Sequence, residues 1–391
     1  MATDIPAYEG DLFSDEGILN PYPHYKALRE LGPVAYLNKQ GVYALSREAE
    51  VREALMNRDV FISGKGVGFE AVVNDAISGN TLCSDPPLHT KLRKQLNACL
   101  MPRALSQFKE QFQTQADALV TGLVKTGSFN AVKDFAVYLP TTIVTTLVGL
   151  PEFGRDHMLQ WAAGAFNVLG PANERLQASV PLMFEAVAYA ANPATHSALR
   201  EGSWAHSISE ARVTGEISDK ELSMLLLDFI GPSLDTTINA TTNLVWLFGQ
   251  NPQEWDRLRE DPKLLQNAIN EVLRLESPIR GFTRYVSTEY TFSGSKIPAD
   301  SRVLILYASA NRDERRWQDP ERFDIGRRAP DQLAFGTGSH TCAGQHLAKL
   351  ELTALLESLI RHVQRFSVSN PVWVKNNLLR GLESLDVVVA N

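Results

Sequence analysis

Apolar positions recur along most of the chain at the three- and four-residue spacing of helices, with short stretches of alternation between. After Asn20-Pro21-Tyr22, the residues Ala27, Leu28 and Leu31 predict an opening helix that stops at Gly32-Pro33. Residues 34–45 alternate and predict two short strands around Gly41. Residues 47–55 read as helix, and so does most of 104–215, where Gly149-Leu150-Pro151 and Gly170-Pro171 are stops. Residues 290–292 and 302–307 read as strands, with Ile297-Pro298-Ala299-Asp300 turning between them. A further helix covers 347–364, and the chain then returns to strands and turns.

Residues 219–250 form the longest apolar segment. Leu222, Leu225, Leu226, Phe229, Ile230, Ile238, Leu244 and Val245 leave hardly any polar face, which predicts a central, buried helix. In its middle stands Gly231-Pro232-Ser233-Leu234-Asp235-Thr236-Thr237. Pro232 has no N–H to give to the Asp228 carbonyl, so the helix is expected to kink or widen there. Asp235 and Thr236 then place an acid and a hydroxyl at a widened turn, where they can move protons.

Length and charge narrow the classes. A chain of 391 residues with 44% hydrophobic content can bury a large core, and a net charge of −7 argues against nucleic acid. Apolar runs such as residues 224–227 are short, and no membrane-spanning helix is expected. Ala2-Thr3-Asp4-Ile5-Pro6 has neither a basic nor an apolar leader region, and Cys83, Cys99 and Cys342 make no disulfide framework. Cytoplasmic residence is the expectation. Gly64-Lys65-Gly66-Val67-Gly68 lacks the ending of a phosphate loop, and Cys83 with His89 lacks the second pair that zinc needs.

The chemistry concentrates at Phe335-Gly336-Thr337-Gly338-Ser339-His340-Thr341-Cys342-Ala343-Gly344. Glycines let the backbone approach a flat ligand, and a Cys just before a helix sits among free N–H groups, which favour thiolate. One soft anionic sulfur suits a haem iron. Upstream, His89 and Arg93 lie four apart on a helix that starts after Pro86-Pro87, so two donors can clamp one carboxylate.

The pattern Phe-x-x-Gly-x-x-x-Cys-x-Gly at Phe335, Gly338, Cys342 and Gly344 resembles the haem-ligand loop of the cytochrome P-450 family, in its bacterial form. The resemblance runs over roughly residues 15–391, with five motifs in the family's order, and implies a single domain, 1–391. That fold is mainly α with a small β region, and haem b lies between the Asp235 helix and the Cys342 helix. Cys342 is the implied iron ligand. His89, Arg93 and Arg284 are implied to bind haem propionates, and Phe335, Gly336, His340 and Gly344 to shape the cofactor site. Asp235, Thr236 and Thr237 match the family's oxygen-activation motif, and Pro232 and Ser233 depart from its small positions. Glu271 and Arg274, with Arg322 of Pro320-Glu321-Arg322-Phe323, match a structural ion-pair element.

The implied reaction is monooxygenation, with Asp235 and Thr236 relaying protons. No flavin or nicotinamide segment is visible, so electrons are expected from a ferredoxin or flavodoxin and its reductase, docking near Arg103 and Lys109. The substrate loop is placed at 59–84. Expected pocket walls are Phe61, Val67, Phe69, Phe166, Leu169, Ile230, Ile279 and Phe282, joined by Val72 and by Leu378-Leu379-Arg380-Gly381. Such walls favour a small apolar or aromatic compound, hydroxylated or O-demethylated. The stretch 166–175 resembles bacterial members that act on aromatic acids and methoxyarenes, and Lys65 or Arg280 are the cations placed for a carboxylate. A terpenoid, a peroxide-using or sensor haem protein, and a haem-free helical scaffold are the other readings.

Overall fold

The computed structural model describes residues 5–155 and 157–390; of the N-terminal stretch read for a leader, Ala2-Thr3-Asp4 lies outside the described residues. Helices form the bulk and meet in one large apolar cluster that includes Leu92, Phe112, Phe135, Leu225, Val245 and Leu356. The helix Gln345–His362, which follows the Cys loop, lies along Lys109–Thr126. Ser358 Oγ donates to the Ala116 carbonyl at 3.2 Å, and Gln113 Nε2 donates to the Ala354 carbonyl at 3.3 Å.

The central apolar segment is two helices rather than one kinked helix. Ser218 starts Asp219–Ile230 through a capping box in which Ser218 N donates to Glu221 Oε2 at 2.6 Å and Glu221 N donates to Ser218 Oγ at 3.3 Å. The helix ends at Ile230, residues 231–234 make turns, and Asp235–Gln250 begins a new helix. Pro232 interrupts the ladder, and side chains take up the carbonyls it strands. The Ser233 hydroxyl donates to the Phe229 carbonyl, and Thr236 Oγ1 donates to the Pro232 carbonyl at 2.8 Å. Asp235–Gln250 is buried along most of its length; Asn243 Nδ2 reaches the Arg380 carbonyl at 3.1 Å and the Glu276 carbonyl at 3.3 Å, while its Oδ1 is buried without a partner.

A six-stranded sheet flanks the helices in the spatial order Ala7–Tyr8, Ala35–Leu37, Val42–Leu45, Ser301–Ile305, Phe282–Val286 and Phe61–Ile62. Phe282–Val286 pairs antiparallel with Ser301–Ile305, Arg284 lying opposite Val303. Alternation along that strand turns Phe282 and Arg284 to one face and Thr283 to the other. Thr283 then fastens the preceding loop, its N–H bonding the Val67 carbonyl at 2.9 Å and its hydroxyl the Gly68 carbonyl at 2.8 Å. A second sheet joins Arg365–Trp373, Leu382–Ala390 and Ser128–Asn130.

One segment bears on the expectation of no membrane-spanning helix, and the ion-pair expectation is corrected. Ala131–Val148 is long and apolar enough to cross a membrane by composition, with mean hydropathy 1.2, but 56% of it is buried inside the protein. Ala131, Phe135, Leu139 and Ile143 pack into the main cluster. The ion-pair element also has a different third member. Arg274 holds Glu271 bidentately at 2.7 and 2.9 Å with both side chains fully buried, and Arg327, not Arg322, adds its Nε to Glu271 Oε1 at 3.1 Å. Arg322 offers only its carbonyl, to Arg274 at 3.4 Å, and its side chain is exposed. Removing one partner of a buried pair strands the other charge. Arg327→Ala leaves Glu271 held by Arg274 and so is expected to cost about 1–2 kcal/mol, against less than about 0.5 kcal/mol for Arg322→Ala, in unfolding followed by circular dichroism.

Candidate active site

The Cys loop is shaped by its glycines. Gly336 and Gly338 hold φ of 65° and 75°, and a Cβ on Gly338 would lie 2.6 Å from the Leu55 carbonyl oxygen. A single 3₁₀ turn, Gly338–His340, brings the chain back so that Cys342 N donates to the Phe335 carbonyl at 2.9 Å. The sulfur faces an internal cavity and accepts from the N–H groups of Gly344 and Gln345. The side chain is exposed to the cavity yet enclosed by the surrounding protein; that enclosure raises the thiol's pKa, and those N–H groups and the nearby Arg93 charge pull it down. The loop N–H groups thus act toward the thiolate as the sequence predicts, against the larger opposing effect of desolvation. A cation bound to the sulfur must supply the rest.

Four donors with few protein partners gather beside this loop. His89 and His340 pack tilted at 45° with ring centroids 4.2 Å apart, and the Nε2 atom of each is buried without a hydrogen-bond partner. Arg93 reaches only uncharged groups, Asn97 Oδ1 at 3.1 Å and the Thr341 carbonyl, and Arg284 reaches the Thr283 carbonyl at 2.9 Å and the Tyr307 hydroxyl. No carboxylate pairs with either arginine among the described residues. Burial and the charges of Arg284, His89 and Arg93 push His340 down to about 3, so it stands as a neutral imidazole between two guanidinium groups. Buried positive charge without an acid calls for an anionic partner.

The cavity is about 320 Å³. Cys342, Phe335, Gly336, Gly344, Arg93, Arg284 and His340 line one side of it; His89 stands behind His340 rather than on the wall. Thr236 lines it at the helix break, with Gly231, Pro232 and Ser233 beside it. Of the expected pocket walls, Phe166, Leu169, Ile230, Ile279 and Phe282 line it. Phe61, Val67 and Phe69 do not. Phe61 is an edge-strand residue packed on Phe292 and Tyr290, Val67 is fully buried under the loop that Thr283 pins, and Phe69 meets Phe13 edge to face at 5.2 Å. Val72 is exposed, and Leu378 and Leu379 belong to the apolar layer under the sheet.

Neither cation assigned to a substrate carboxylate reaches the cavity. Lys65 is exposed on the surface. Arg280 is buried elsewhere, donating to the Tyr25 hydroxyl at 3.1 Å, the Leu12 carbonyl at 2.9 Å and the Asn377 carbonyl at 3.3 Å. The loop 64–68 is also held rather than loose, because Arg302 donates to the carbonyls of Gly66 at 2.9 Å and Lys65 at 3.0 Å. Wall residues that the sequence reading passed over include Trp161, Met183, Leu82 and the acid Asp228. Asp228 alone carried a signal, as one charge inside the run of apolar residues from 224 to 230.

Asp235 begins its helix beside Thr236 but is not itself on the cavity wall. Burial raises its carboxyl to about 7. A carboxyl whose native pKa lies above its unfolded value favours the folded state at low pH and costs stability as pH rises, from about 4 until the native value near 7 is passed. Asp235→Asn is thus expected to raise the thermal midpoint at pH 8 by several degrees and leave it unchanged at pH 4, as read by scanning calorimetry.

A helical fold that closes a glycine-shaped thiol loop over such a cavity defines a haem-thiolate class of oxidoreductase. Comparison with known proteins carries this to a family. Residues 197–381 match the family described as Cytochrome P450. The chain is 35% identical over 388 residues to Cytochrome p450 CYP199A2 of Rhodopseudomonas palustris, across 98% of this chain and 94% of that one. It is 31% identical over 396 residues to Beta-dihydromenaquinone-9 omega-hydroxylase of Mycobacterium tuberculosis, across 99% of this chain and 78% of that protein. The structure of Mycobacterium marinum cytochrome P450 CYP268A2 in complex with pseudoionone aligns with a TM-score of 0.87 at 24% identity, covering 98% and 99% of the two chains. The chain belongs to the cytochrome P450 family in its bacterial branch: it is a haem-containing monooxygenase that uses dioxygen, an organic substrate and a redox partner.

Proposed function

We propose that this chain inserts one oxygen atom from dioxygen into a small apolar or aromatic substrate, by hydroxylation or O-demethylation, using haem b. The observation that carries the reading is one cavity that holds the Cys342 sulfur, the Thr236 hydroxyl and a wall of apolar side chains together. The residues present fit the cofactor. Cys342 would hold the iron, with the Gly344 and Gln345 N–H groups tempering the sulfur's charge. Arg93, Arg284, His89 and His340 would receive the two propionates, which answers the orphaned Nε2 atoms and the unpaired guanidinium groups. When bound, the haem supplies the activation of dioxygen.

The chain's own part is to place substrate and manage protons. Phe166, Leu169, Ile279 and Phe282 exclude water and turn a flat or compact substrate toward the sulfur side. The Thr236 hydroxyl donates a hydrogen bond to the Pro232 carbonyl at 2.8 Å with its oxygen at the cavity wall, where it can accept a hydrogen bond and, by turning away from Pro232, pass its own proton on. Asp235, near half-ionised at neutral pH, is the adjoining group able to resupply it. Electrons come from a separate ferredoxin or flavodoxin with its reductase. Arg103 and Lys109 are both exposed beside the helix that packs on the Cys342 helix, as a dock for an acidic carrier requires. The three free cysteines accord with a reducing cytoplasm.

Loss of the hydroxyl separates proton delivery from substrate binding. In a reconstituted system with a ferredoxin and its reductase, Thr236→Ala should keep substrate affinity within about twofold and lower product formed per electron pair by about tenfold or more, with hydrogen peroxide in its place. Product from the wild type should carry one heavy atom from isotopically labelled dioxygen. Label arriving from water instead would remove the monooxygenase reading.

A further inference from the structure

We propose that Asp228 is a specificity-determining residue of the substrate pocket, selecting apolar or aromatic substrates that carry an ammonium or other hydrogen-bond donor over those that carry a carboxylate. This rests on the monooxygenase reading above. Asp228 lies in the last two turns of Asp219–Ile230, just before the helix breaks, and is on the cavity wall. Among the described residues it is the only acid on that wall. The same cavity wall carries Leu82, Phe166, Leu169 and Ile230.

One carboxylate oxygen is already placed. Thr81 N donates to Asp228 Oδ2 at 3.0 Å, with the Thr81 hydroxyl beside the same group. That contact fixes the carboxyl against the opposite loop and stops it from turning to solvent. No ion pair compensates it among the described residues; Arg93 is the charge that reaches it, and only at long range. Burial raises its pKa to about 6, so it is largely ionised at neutral pH and held in an apolar wall. The cationic side of the cavity, Arg93, Arg284 and His340, is assigned to the propionates. Asp228 is then the charged group left to meet a substrate. A donor would satisfy its open acceptor capacity, and a second carboxylate would meet a like charge in a low-dielectric space.

The test uses the haem-loaded protein and three ligands of one body: para-methoxybenzylamine, para-methoxybenzyl alcohol and para-methoxybenzoate. Dissociation constants are read at pH 7.5 from the low- to high-spin change in the Soret band. The wild type should bind the amine about tenfold or more tighter than the acid, with the alcohol between them. Asp228→Asn should shrink the amine-to-acid ratio by about tenfold while leaving the alcohol within about threefold. A wild type that prefers the acid, a ratio unchanged in Asp228→Asn, or an amine that ligates the iron through nitrogen without a spin change would each overturn the inference. If Asp228→Asn fails to take up haem, the order of the three ligands on the wild type decides alone. Failure of the underlying reading is visible separately, as a wild type whose reduced, carbon-monoxide-bound spectrum lacks the thiolate signature.

Discussion

The structure depends on positive charge buried without an acid. Arg93 and Arg284 face one internal cavity with two packed histidines beside them, and none of the four has a carboxylate partner among the described residues. A protein interior tolerates such a set only when an anion completes it. Across the same cavity stands a thiol whose burial opposes ionisation. One group that brings two carboxylates and a metal cation resolves both problems at once, and it is a better account of this cavity than any two separate ligands. The remaining architecture can be read as holding these pieces at the right separation: a strand that alternates Phe282 and Arg284 onto the wall, a helix that carries Arg93, and a loop that Gly336 and Gly338 bend back on itself.

Contrast the buried charges that are compensated. Glu271 takes two bonds from Arg274 and one from Arg327, and Glu276 meets Arg312 at 3.2 Å and Arg380 at 3.2 Å with all three side chains nearly inaccessible. Arg312 and Arg380 also lie over the faces of Tyr22 and Trp373, at 3.8 and 3.5 Å. These clusters have their acids, face no cavity, and tie helices to the sheet and to the loop before the Cys. The difference between satisfied and unsatisfied charge therefore separates scaffold from site within one molecule. Asp228 belongs with the second group, as an acid on the cavity wall with no cation paired to it.

Much of this was legible in residue order, because local rules govern it. The Cys loop is contiguous, and its glycines announce a positive φ. The pair His89 and Arg93 follows from helix period, and Gly32, Gly41 and Gly149 end elements where expected. What failed depended on partners distant in sequence. Arg322 and Arg327 are equally good guanidinium donors on paper, and only the path of residues 320–327 decides which one turns inward. Phe61 and Val67 read as pocket walls because the family resemblance places the substrate loop at 59–84 and both are apolar. Pairing of Phe61–Ile62 with Phe282–Val286 and the bonds from Thr283 and Arg302 place them in packed layers instead. The split of the central segment was half legible. Pro232 predicts a disturbance, but its size was set by Ser233 and Thr236, whose hydroxyls take the carbonyls that the lost ladder frees.

The chemistry of the cavity turns on what Cys342 holds. Reducing the purified, haem-loaded protein under carbon monoxide and recording its absorption measures this directly. A strongly red-shifted Soret band, lost in Cys342→His, is the predicted result and identifies a thiolate on the iron. A Soret band at the position of a nitrogen-ligated haem in the native protein, or no uptake of haem at all, would contradict the central claim and leave the unpaired charges around the cavity to be explained by another anion.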